Sequence, residues 1–361
     1  MRYFSEFDLG NLQALVQSWG TPAVHAQTLL RTYYRTGGEL DLPAMNIGAA
    51  LKARLNDNIA PFQSRVAKRH VSADGTIKLL IGLDGAVLPL PSQGRGLGGE
   101  VTAVEAVLMP GESPDRAAAC VSSQIGCAMG CDFCASTRRG LERNLTSAEI
   151  VEQFLHLKAE ALRGGRRLAT LVFMGMGEPL QNLDEVIPAI RRIACAELGA
   201  LGWRQITVST VGIVPGIERL AGAGLNVNLA LSLHAPDDET RARIVPMTRR
   251  YPVAEIVAAT KLFYERTGRI TNIEYCMLDS INDSDAHARA LAALLHGFRT
   301  HVNLIPYNSI GLSLSGVEYR TPAPERVDAF TAILRAAGVT VHTRKRRGDD
   351  VNAACGQLAV G

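Results

Sequence analysis

The chain has 361 residues, of which 47% are hydrophobic and 20% charged, and this is the composition of an ordinary globular protein. Lys and Arg total 38 against 35 Asp and Glu, so the formal charge of +3 does not by itself argue for nucleic-acid binding. The sequence shows no membrane-length apolar run and no secretory signal, and its seven cysteines are an odd number. We therefore expect a cytoplasmic enzyme without a membrane partner, whose thiols serve as ligands or catalysts.

The first 62 residues predict a small helical domain. Apolar residues recur at helical spacing around Leu12 and around Leu29. Gly20-Thr21-Pro22 separates these two helices, with Thr21 as the expected N-cap of the second. Gly37-Gly38 ends the second helix, and residues 47–59 predict a third.

Residues 63–112 predict a β-hairpin extension. Asp74-Gly75 precedes an apolar run at 77–81, and Asp84-Gly85 precedes another at 87–90. Such turn pairs between apolar runs are typical of hairpins. The glycine-rich stretch at 92–99 predicts a loop.

Strands and helices then alternate regularly over residues 113–343. The expected strands begin near Cys120 and continue at 168–173, 205–209, 226–233, 271–278 and 301–306. The expected helices cover 148–162, 183–198, 216–223, 253–266, 284–298 and 324–337, and a last strand covers 339–342. Six strand–helix units predict an α/β fold, a parallel sheet curled into a partial (β/α)6 barrel. Residues 344–361 then form a C-terminal tail.

Three cysteines, Cys127, Cys131 and Cys134, have the spacing Cys-x3-Cys-x2-Cys. Three thiolates can bind three irons of a 4Fe-4S cluster and leave the fourth iron open to a ligand. The alternative is a structural zinc site, which needs four ligands, usually in two pairs. No second CxxC or HxxxH follows at a useful distance, so the spacing favours the cluster. A three-cysteine run ahead of alternating strands and helices resembles the radical S-adenosylmethionine (SAM) enzymes.

Polar residues and glycines follow several expected strands, where the active site of a parallel barrel lies. We expect glycines such as Gly177 to let backbone carbonyls approach the ammonium group of SAM, and Glu178 to neutralise it. Ser209, Ser232 and Asn308 supply small hydrogen-bonding groups for its sugar and carboxylate.

Six segments together resemble the RlmN/Cfr family of RNA methyltransferases, and the resemblance covers nearly the whole chain. They are residues 120–127, 143–145, 174–180, 232–234, 305–308 and 347–357. The resemblance implies that Cys127, Cys131 and Cys134 ligate the cluster. The SAM-contacting positions that it implies are Gly177, Glu178, Ser209, Ser232, Leu233, His234 and Asn308.

The resemblance also implies three catalytic residues. Cys355 is the cysteine that becomes methylated, Cys120 is its resolving partner, and Glu105 is the proton acceptor. Glu100 is the alternative acceptor, because the connection at 92–100 looks longer than usual.

The implied reaction methylates C2 of an adenosine in 23S rRNA, with a tRNA adenosine as a further candidate substrate. One SAM methylates Cys355, and a second yields a radical that takes hydrogen from that methyl group. The methylene radical adds to adenine, and attack by Cys120 releases the RNA and leaves a disulfide. The implied partners are RNA and an electron donor such as flavodoxin, and the implied state is a monomer.

Two alternatives stay open on the sequence: methylation of C8 of the same base, and an iron–sulfur module that binds SAM without turnover. Cys355 and Cys120 argue against the second, because a sensor has no use for a methyl-accepting thiol. We expect the two remaining cysteines, Cys195 and Cys276, to be buried and inert. The candidates for RNA contact are the run 344–347, Arg138, Arg139, Arg143 and the N-terminal residues Arg31, Tyr33, Tyr34 and Arg35, for which a packing role is equally open.

Overall fold

The computed structural model describes residues 1–83, 102–198 and 201–359. Near the N-terminus, strand β1 (Arg2–Tyr3) pairs in parallel with β2 (Ile59–Ala60), which follows three helices in the chain. These helices are α1 (Leu9–Ser18), α2 (Val24–Thr36) and α3 (Ala49–Asn58). The predicted helical unit is therefore present, and Gly37 ends α2 in the left-handed conformation at φ +75°.

The predicted N-cap at Thr21 is wrong. Helix α2 begins at Val24, and the preceding Ala23 makes no side-chain cap. The N–H of Thr21 instead donates to the carbonyl of Val16, and the N–H of Gly20 donates to that of Gln17. This pair of bonds, with Gly20 at φ +76°, is a Schellman motif, so Thr21 completes the end of α1 rather than the start of α2.

The hairpin predicted at Asp74-Gly75 is confirmed. Strands β3 (Arg65–Val71) and β4 (Ile77–Gly82) pair antiparallel across this turn, and β5 (Ala103–Pro110) pairs antiparallel with β4. In the turn, Oδ1 of Asp74 accepts a hydrogen bond from the N–H of Thr76 at 2.8 Å. The second predicted hairpin, the loop at 92–99 and Glu100 lie outside the described residues.

The remaining elements alternate as the sequence predicts. The strands are β6 (Arg116–Cys120), β7 (Gln124–Gly126), β8 (Leu141–Asn144), β9 (Arg167–Phe173), β10 (Ile206–Thr210), β11 (Asn228–Ser232), β12 (Thr271–Met277), β13 (Thr300–Pro306) and β14 (Thr340–Thr343). The helices are α4 (Ser147–Arg163), α5 (Leu183–Ile193), α6 (Val214–Gly222), α7 (Asp238–Ile244), α8 (Val253–Thr267), α9 (Asp285–Leu294) and α10 (Pro324–Ala336).

One sheet carries the fold. In the described residues it has the strand order β14-β13-β12-β11-β10-β9-β6-β5-β4-β3. The strands from β6 to β14 in this sheet are parallel, whereas β5, β4 and β3 continue it antiparallel beyond β6. The hairpin extension is thus paired directly to the first barrel strand, with Val107 opposite Cys120. The four-part division of the chain stays a prediction.

Three elements near the cysteines, one helix and two strands, were not predicted. Helix α7 is only seven residues long and lacks an apolar period; it is set by Asp237, whose Oδ1 accepts the N–H of Thr240 at 2.8 Å. Strands β7 and β8 flank the cysteine segment in the chain and pair with each other in a two-stranded sheet.

Helix α5 is shorter than predicted, because a 3-10 turn at Ala196–Leu198 replaces its last turn.

No helix within the described ranges is long and apolar enough to cross a bilayer.

Candidate active site

A cavity of about 150 Å³ opens where the parallel strands end, at the place where the active site of a parallel barrel is expected. Nine of the predicted site residues line it: Cys127, Cys131, Cys134, Gly177, Glu178, Ser209, Ser232, His234 and Cys355. Of the others, Leu233 packs in the core, and Cys120, Glu105 and Asn308 are not among the lining residues. The structure therefore brings together segments that are more than 200 positions apart in sequence, while the roles of these residues stay predictions.

The three cysteines lie on the segment between β7 and β8. Cys127 and Cys131 are buried and Cys134 is half-buried. The backbone around them is fixed: the N–H of Cys127 donates to the carbonyl of Gly140 at 2.8 Å, and the carboxylate of Asp132 accepts from Ser315 and from the Tyr319 hydroxyl at 2.7 Å. Burial raises the pKa of Cys127 to about 12, so without a metal this thiol is protonated.

The donor set fits an iron–sulfur cluster better than a single ion. Within the described residues, no three His, Cys, Asp or Glu side chains form a group that could hold one metal ion. A cubane cluster takes one thiolate at each of three irons, so its ligands surround a larger body and need not converge on a point. Three thiols lining one cavity meet this requirement.

Arg241, on helix α7, is a functional candidate that sequence reasoning missed. Its side chain is fully buried and donates to the backbone carbonyls of Leu233 and Val211 and to the hydroxyl of Thr248. Burial lowers the pKa of this guanidinium to about 10, and the nearby Cys131 acts in the opposite direction. Arg241 thus joins the ends of β10 and β11 behind the cysteine segment. Arg241 was not predicted because α7 was not predicted, and an isolated Arg in a short polar stretch is usually a surface residue.

Gly177 is required by close packing as well as by its conformation. Its φ is +94°, and a Cβ atom added there would lie 2.5 Å from Cβ of Gln124. Gln124 in turn accepts the N–H of Glu178 on its side-chain oxygen at 2.8 Å. The glycine therefore lets the end of β9 pack on β7, a reason separate from the ligand approach that the sequence suggested.

Glu178 is a buried carboxylate with backbone partners on both oxygens. Oε1 accepts the N–H of Leu180 at 3.0 Å, and Oε2 accepts that of Val211 at 2.9 Å. Burial outweighs these bonds and raises its pKa to about 7. The carboxyl is therefore ionised to a smaller extent near neutral pH than an exposed glutamate would be.

His234 has a conformation that a non-glycine residue adopts rarely, with φ at +62°. Its Nδ1 accepts the N–H of Cys276 at 3.0 Å, so the ring proton is on Nε2 when the ring is neutral. Burial lowers its pKa to about 3, which keeps it neutral. The ring packs edge-on against Phe133 of the cysteine segment, and the two ring centroids lie 4.9 Å apart. Such strain at a cavity wall is typical of functional sites.

The two serines differ in their bonding. The hydroxyl of Ser209 donates to the carbonyl of Phe173 at 2.6 Å, which ties β10 to β9. The carbonyl of Ser232 accepts from Arg241. Leu233 is fully buried, and its backbone carbonyl accepts a hydrogen bond from Nε of Arg241.

The C-terminal tail folds back over the cavity. The N–H of Ala135, next to Cys134, donates to the carbonyl of Gly356 at 2.7 Å, and Nδ2 of Asn308 donates to the carbonyl of Cys355 at 3.3 Å. Cys355 is exposed to the cavity and Cys120 is buried, and both are free thiols. Burial raises the pKa of Cys120 to about 12. The predicted methyl-accepting thiol therefore lies beside the cysteine segment.

The residues that line the cavity without having been assigned to it include Glu274 and Cys276, on β12. Cys276 is buried, as expected, but it belongs to the site wall rather than to an inert core. Cys195 is half-buried, contrary to expectation, and its thiol donates to Oε2 of Glu197 at 3.1 Å.

The N-terminal aromatic residues do not present a stacking surface. Tyr33 and Tyr34 are fully buried, and the Tyr33 hydroxyl donates to the carbonyl of Pro61 at 2.6 Å. A buried ring has no free face for a base, so the packing role is the one observed. Arg143 forms an ion pair with the buried Glu149 at 2.7 Å, which anchors β8 to the start of α4.

Comparisons with known proteins agree with this architecture. Residues 121–292 match the model of the Radical SAM superfamily. The chain is 52% identical over 98% of its length to the "Probable dual-specificity RNA methyltransferase RlmN 1" of Opitutus terrae, and 96% of that protein is covered. It is 41% identical over 98% of its length to the RlmN protein of Rhodopirellula baltica, with 89% of that protein covered.

A solved structure matches the whole fold. It is a radical SAM methyltransferase from Sphaerobacter thermophilus, 38% identical, with a TM-score of 0.87 and 99% of each chain covered. The Radical SAM family implies a 4Fe-4S cluster and SAM as cofactors. The chain belongs to the RlmN family of radical SAM RNA methyltransferases.

Proposed function

We propose that this enzyme methylates C2 of an adenosine in 23S rRNA and also acts on an adenosine of tRNA. The observation that carries the proposal is the cavity, where three clustered cysteines and the exposed thiol of Cys355 lie together with the ends of the parallel strands. The relatives that bear the name RlmN, with dual specificity, support C2 and two RNA classes. A module that only binds SAM would not need the exposed thiol of Cys355 in the same cavity as the three clustered cysteines.

The residues divide into a cluster set and a SAM set. Cys127, Cys131 and Cys134 would hold the cluster, and Glu178 would accept the ammonium group of SAM. Ser232, His234 and Asn308 would serve the remaining polar groups of SAM, with Ser209 and Gly177 shaping the wall and Leu233 as a further SAM-contacting residue. When bound, the two cofactors supply the methyl group and the radical that activates it.

The catalytic set consists of Cys355, Cys120 and Glu105. Cys355 would accept the methyl group on its sulfur and carry it to the base, which the exposure of its thiol permits. Cys120, buried on β6, would attack that sulfur at the end and release the RNA. Val107 of β5 pairs with Cys120, and Glu105 lies two positions before Val107 on the same strand, so the side chain of Glu105 shares the face of Cys120. It would take the ring proton.

The partners follow from this reaction. RNA is the substrate, and we place the phosphate contacts on the basic run 344–347 beside Cys355 and on Arg138 and Arg139 beyond the cysteines. A low-potential electron donor such as flavodoxin would reduce the cluster. We propose a monomer that works in the cytoplasm.

The test is an anaerobic reaction of the reconstituted enzyme with SAM, a reductant and rRNA or tRNA fragments, followed by nucleoside mass spectrometry. We expect 2-methyladenosine; 8-methyladenosine alone would replace the proposal with the C8 reaction.

Variants of single cysteines test the roles of the thiols. Cys355→Ala should abolish methylation, whereas Cys195→Ala, which does not line the cavity, should retain it. Cys120→Ala should accumulate a covalent protein–RNA species that survives denaturation. Methylation by Cys355→Ala at the unmutated rate would refute the proposal.

A further inference from the structure

The C-terminal tail docks on the turn of the β3–β4 hairpin, and each partner gives a carboxylate to the other. The carboxylate of Asp350 in the tail accepts the hydroxyl of Ser72 and, at 3.1 Å, the N–H of Ala73. In return, Oδ2 of Asp74 in the turn accepts the N–H of Gly348 at 3.0 Å. The two segments are far apart in the chain, so these bonds define a specific docking contact.

Close packing fixes the same contact. Gly348 has φ at +68°, and a Cβ atom added there would lie 2.7 Å from Cβ of Ala353 and 3.1 Å from Cγ2 of Thr76. The lack of a side chain thus lets the tail lie directly on the hairpin. The N–H of Ala353 donates to the carbonyl of Gly348 at 2.9 Å, so the tail turns here, and Cys355 follows at the cavity.

Lys78, on strand β4 of the hairpin, is connected to the tail on both sides of Cys355. Its Nζ donates to the carbonyl of Asn352, before Cys355, at 3.2 Å. The same Nζ lies 2.9 Å from Oε1 of Glu105, whose Oε2 accepts the N–H of Ala359 at 2.8 Å. Ala359 lies beyond Cys355 in the chain, so one buried ion pair holds the residues on either side of this thiol.

The tail is held by polar contacts more than by apolar burial. Of its described residues, only Ala353, Ala354 and Leu358 are apolar and buried, and the two alanines bury little surface. Hydrogen bonds to an exposed group such as Asp350 can open and re-form without disturbing the core. A methyl carrier needs this property, because its sulfur must reach SAM, the base and the resolving thiol in turn.

We propose that Ser72 and Lys78 are positioning residues, through which the hairpin extension docks the tail and holds Cys355 at the cavity. The inference rests on the proposed function, in which Cys355 carries the methyl group. Neither Ser72 nor Lys78 lines the cavity, so each acts through a group of the tail, Asp350 or the carbonyl of Asn352. A loosened tail leaves the thiol intact but lowers the fraction of molecules in which it is correctly placed, and the rate falls with that fraction.

Hydrogen exchange measures the docking without RNA or SAM. Full-length enzyme with a reconstituted cluster is transferred to deuterated water, and deuterium uptake is followed by mass spectrometry in peptides of the tail and of the barrel strands. Lys78→Met keeps the length of the side chain but removes its charge and its donors. The tail peptides should then exchange roughly tenfold faster. Ser72→Ala should accelerate exchange around Asp350, while the barrel strands keep their protection in both proteins.

Matched variants separate the lost contacts from a general change of the hairpin. Ser72→Thr retains the hydroxyl and Lys78→Arg retains the charge, so the tail should exchange at close to the unmutated rate in both. Lys68→Met makes the same charge change at an exposed position of β3 and should leave exchange of the tail unchanged.

Turnover decides whether the docking serves the reaction. In the Ser72→Ala protein we expect kcat for RNA methylation to fall roughly tenfold, because a displaced carrier meets its reactants in fewer molecules. Cluster content and SAM affinity should be unchanged, since Ser72 lies outside the cavity, and Ser72→Thr should restore kcat.

Unchanged exchange of the tail in both Ser72→Ala and Lys78→Met would overturn the inference, and so would faster exchange with an unmutated kcat. If Lys78→Met does not fold or load a cluster, Ser72→Ala decides: faster exchange with reduced kcat supports the inference, and an unchanged tail overturns it. Failure of the proposed function would be seen separately, as RNA methylation by the Cys355→Ala protein, whatever the exchange of the tail shows.

Discussion

Nζ of Lys78 lies 2.9 Å from Oε1 of Glu105, and both side chains are buried. The other oxygen of Glu105 accepts the N–H of Ala359 at 2.8 Å. The tail that carries Cys355 therefore also covers the carboxylate proposed to take the ring proton. Burial outweighs Lys78 and raises the pKa of Glu105, so this carboxylate holds a proton more tightly than an exposed one.

Replacing Glu105 by Gln should block proton removal from the base after the carbon–carbon bond has formed. We expect methylated product to fall by about 100-fold, the usual scale of a general base, while the protein–RNA adduct accumulates. Denaturing gels of radiolabelled RNA and nucleoside mass spectrometry would measure both. Glu100→Gln is the control, and the assignment of Glu105 is wrong if that variant, and not Glu105→Gln, accumulates the adduct.

Single replacement of Cys127, Cys131 or Cys134 by Ala should abolish the visible absorbance of the cluster and reductive cleavage of SAM. Each of the three thiolates would hold a different iron, so two of them would not hold a cluster with one iron open to SAM. Iron analysis and 5′-deoxyadenosine measurement check this, with Cys195→Ala as the control for a cysteine outside the cavity. Retained cleavage of SAM in any of the three proteins would contradict the cluster assignment.

The sequence predicted the barrel well because its signals are local. Buried strands such as Leu168 and its neighbours are continuous apolar runs, and their order in the sheet follows the chain from β9 onward. The carboxyl ends of such strands must meet, so the amino-acid sequence alone is enough to place Glu178, Ser209 and Ser232 at one cavity.

Contacts between residues that are far apart in sequence could not be predicted from these local patterns. Arg241 joins the ends of two strands behind the cysteines, and Glu274 binds Arg344, which follows another strand. Neither contact is indicated by the residues that lie next to Arg241 or Glu274 in the sequence. Thr21 failed for a related reason: Ser, Thr and Pro after a glycine suit either the end of one helix or the start of the next, and the hydrogen bond to Val16 decides.

The affinity for SAM should rise with pH through the pKa of Glu178, which burial raises from an ordinary 4.5 to about 7. As pH falls through this pKa, the protonated fraction of the carboxyl grows and its attraction for the ammonium group falls, so binding should be weaker at pH 6 than at pH 8. The sign for folding is opposite: the SAM-free protein holds this proton more tightly than the unfolded chain, so its contribution to stability is lost as pH rises from 4.5 through 7.

Anaerobic equilibrium dialysis of SAM at pH 6, 7 and 8 measures this dependence. Glu178→Gln should bind SAM more weakly at pH 8 and show a flatter profile. If SAM binding by the Glu178→Gln protein depends on pH as steeply as binding by the unmutated enzyme, the titrating group is not Glu178.

Replacing Gly177 by Ala should both destabilise the protein and weaken SAM binding. The added Cβ would lie 2.5 Å from Cβ and 2.8 Å from the backbone nitrogen of Gln124, and φ at +94° is unfavourable for alanine. The backbone of β7 must shift to relieve this contact, and β7 leads directly into the cysteine segment. We expect a loss of about 2 kcal/mol or more in the free energy of unfolding, measured by thermal or urea denaturation.

The control is Gly222→Ala in α6, where an added Cβ meets nothing within 4 Å and alanine favours the helix, so the stability of this variant should be unchanged or higher. Equal stability of the Gly177→Ala and Gly222→Ala proteins would mean that the approach of β9 to β7 does not require glycine.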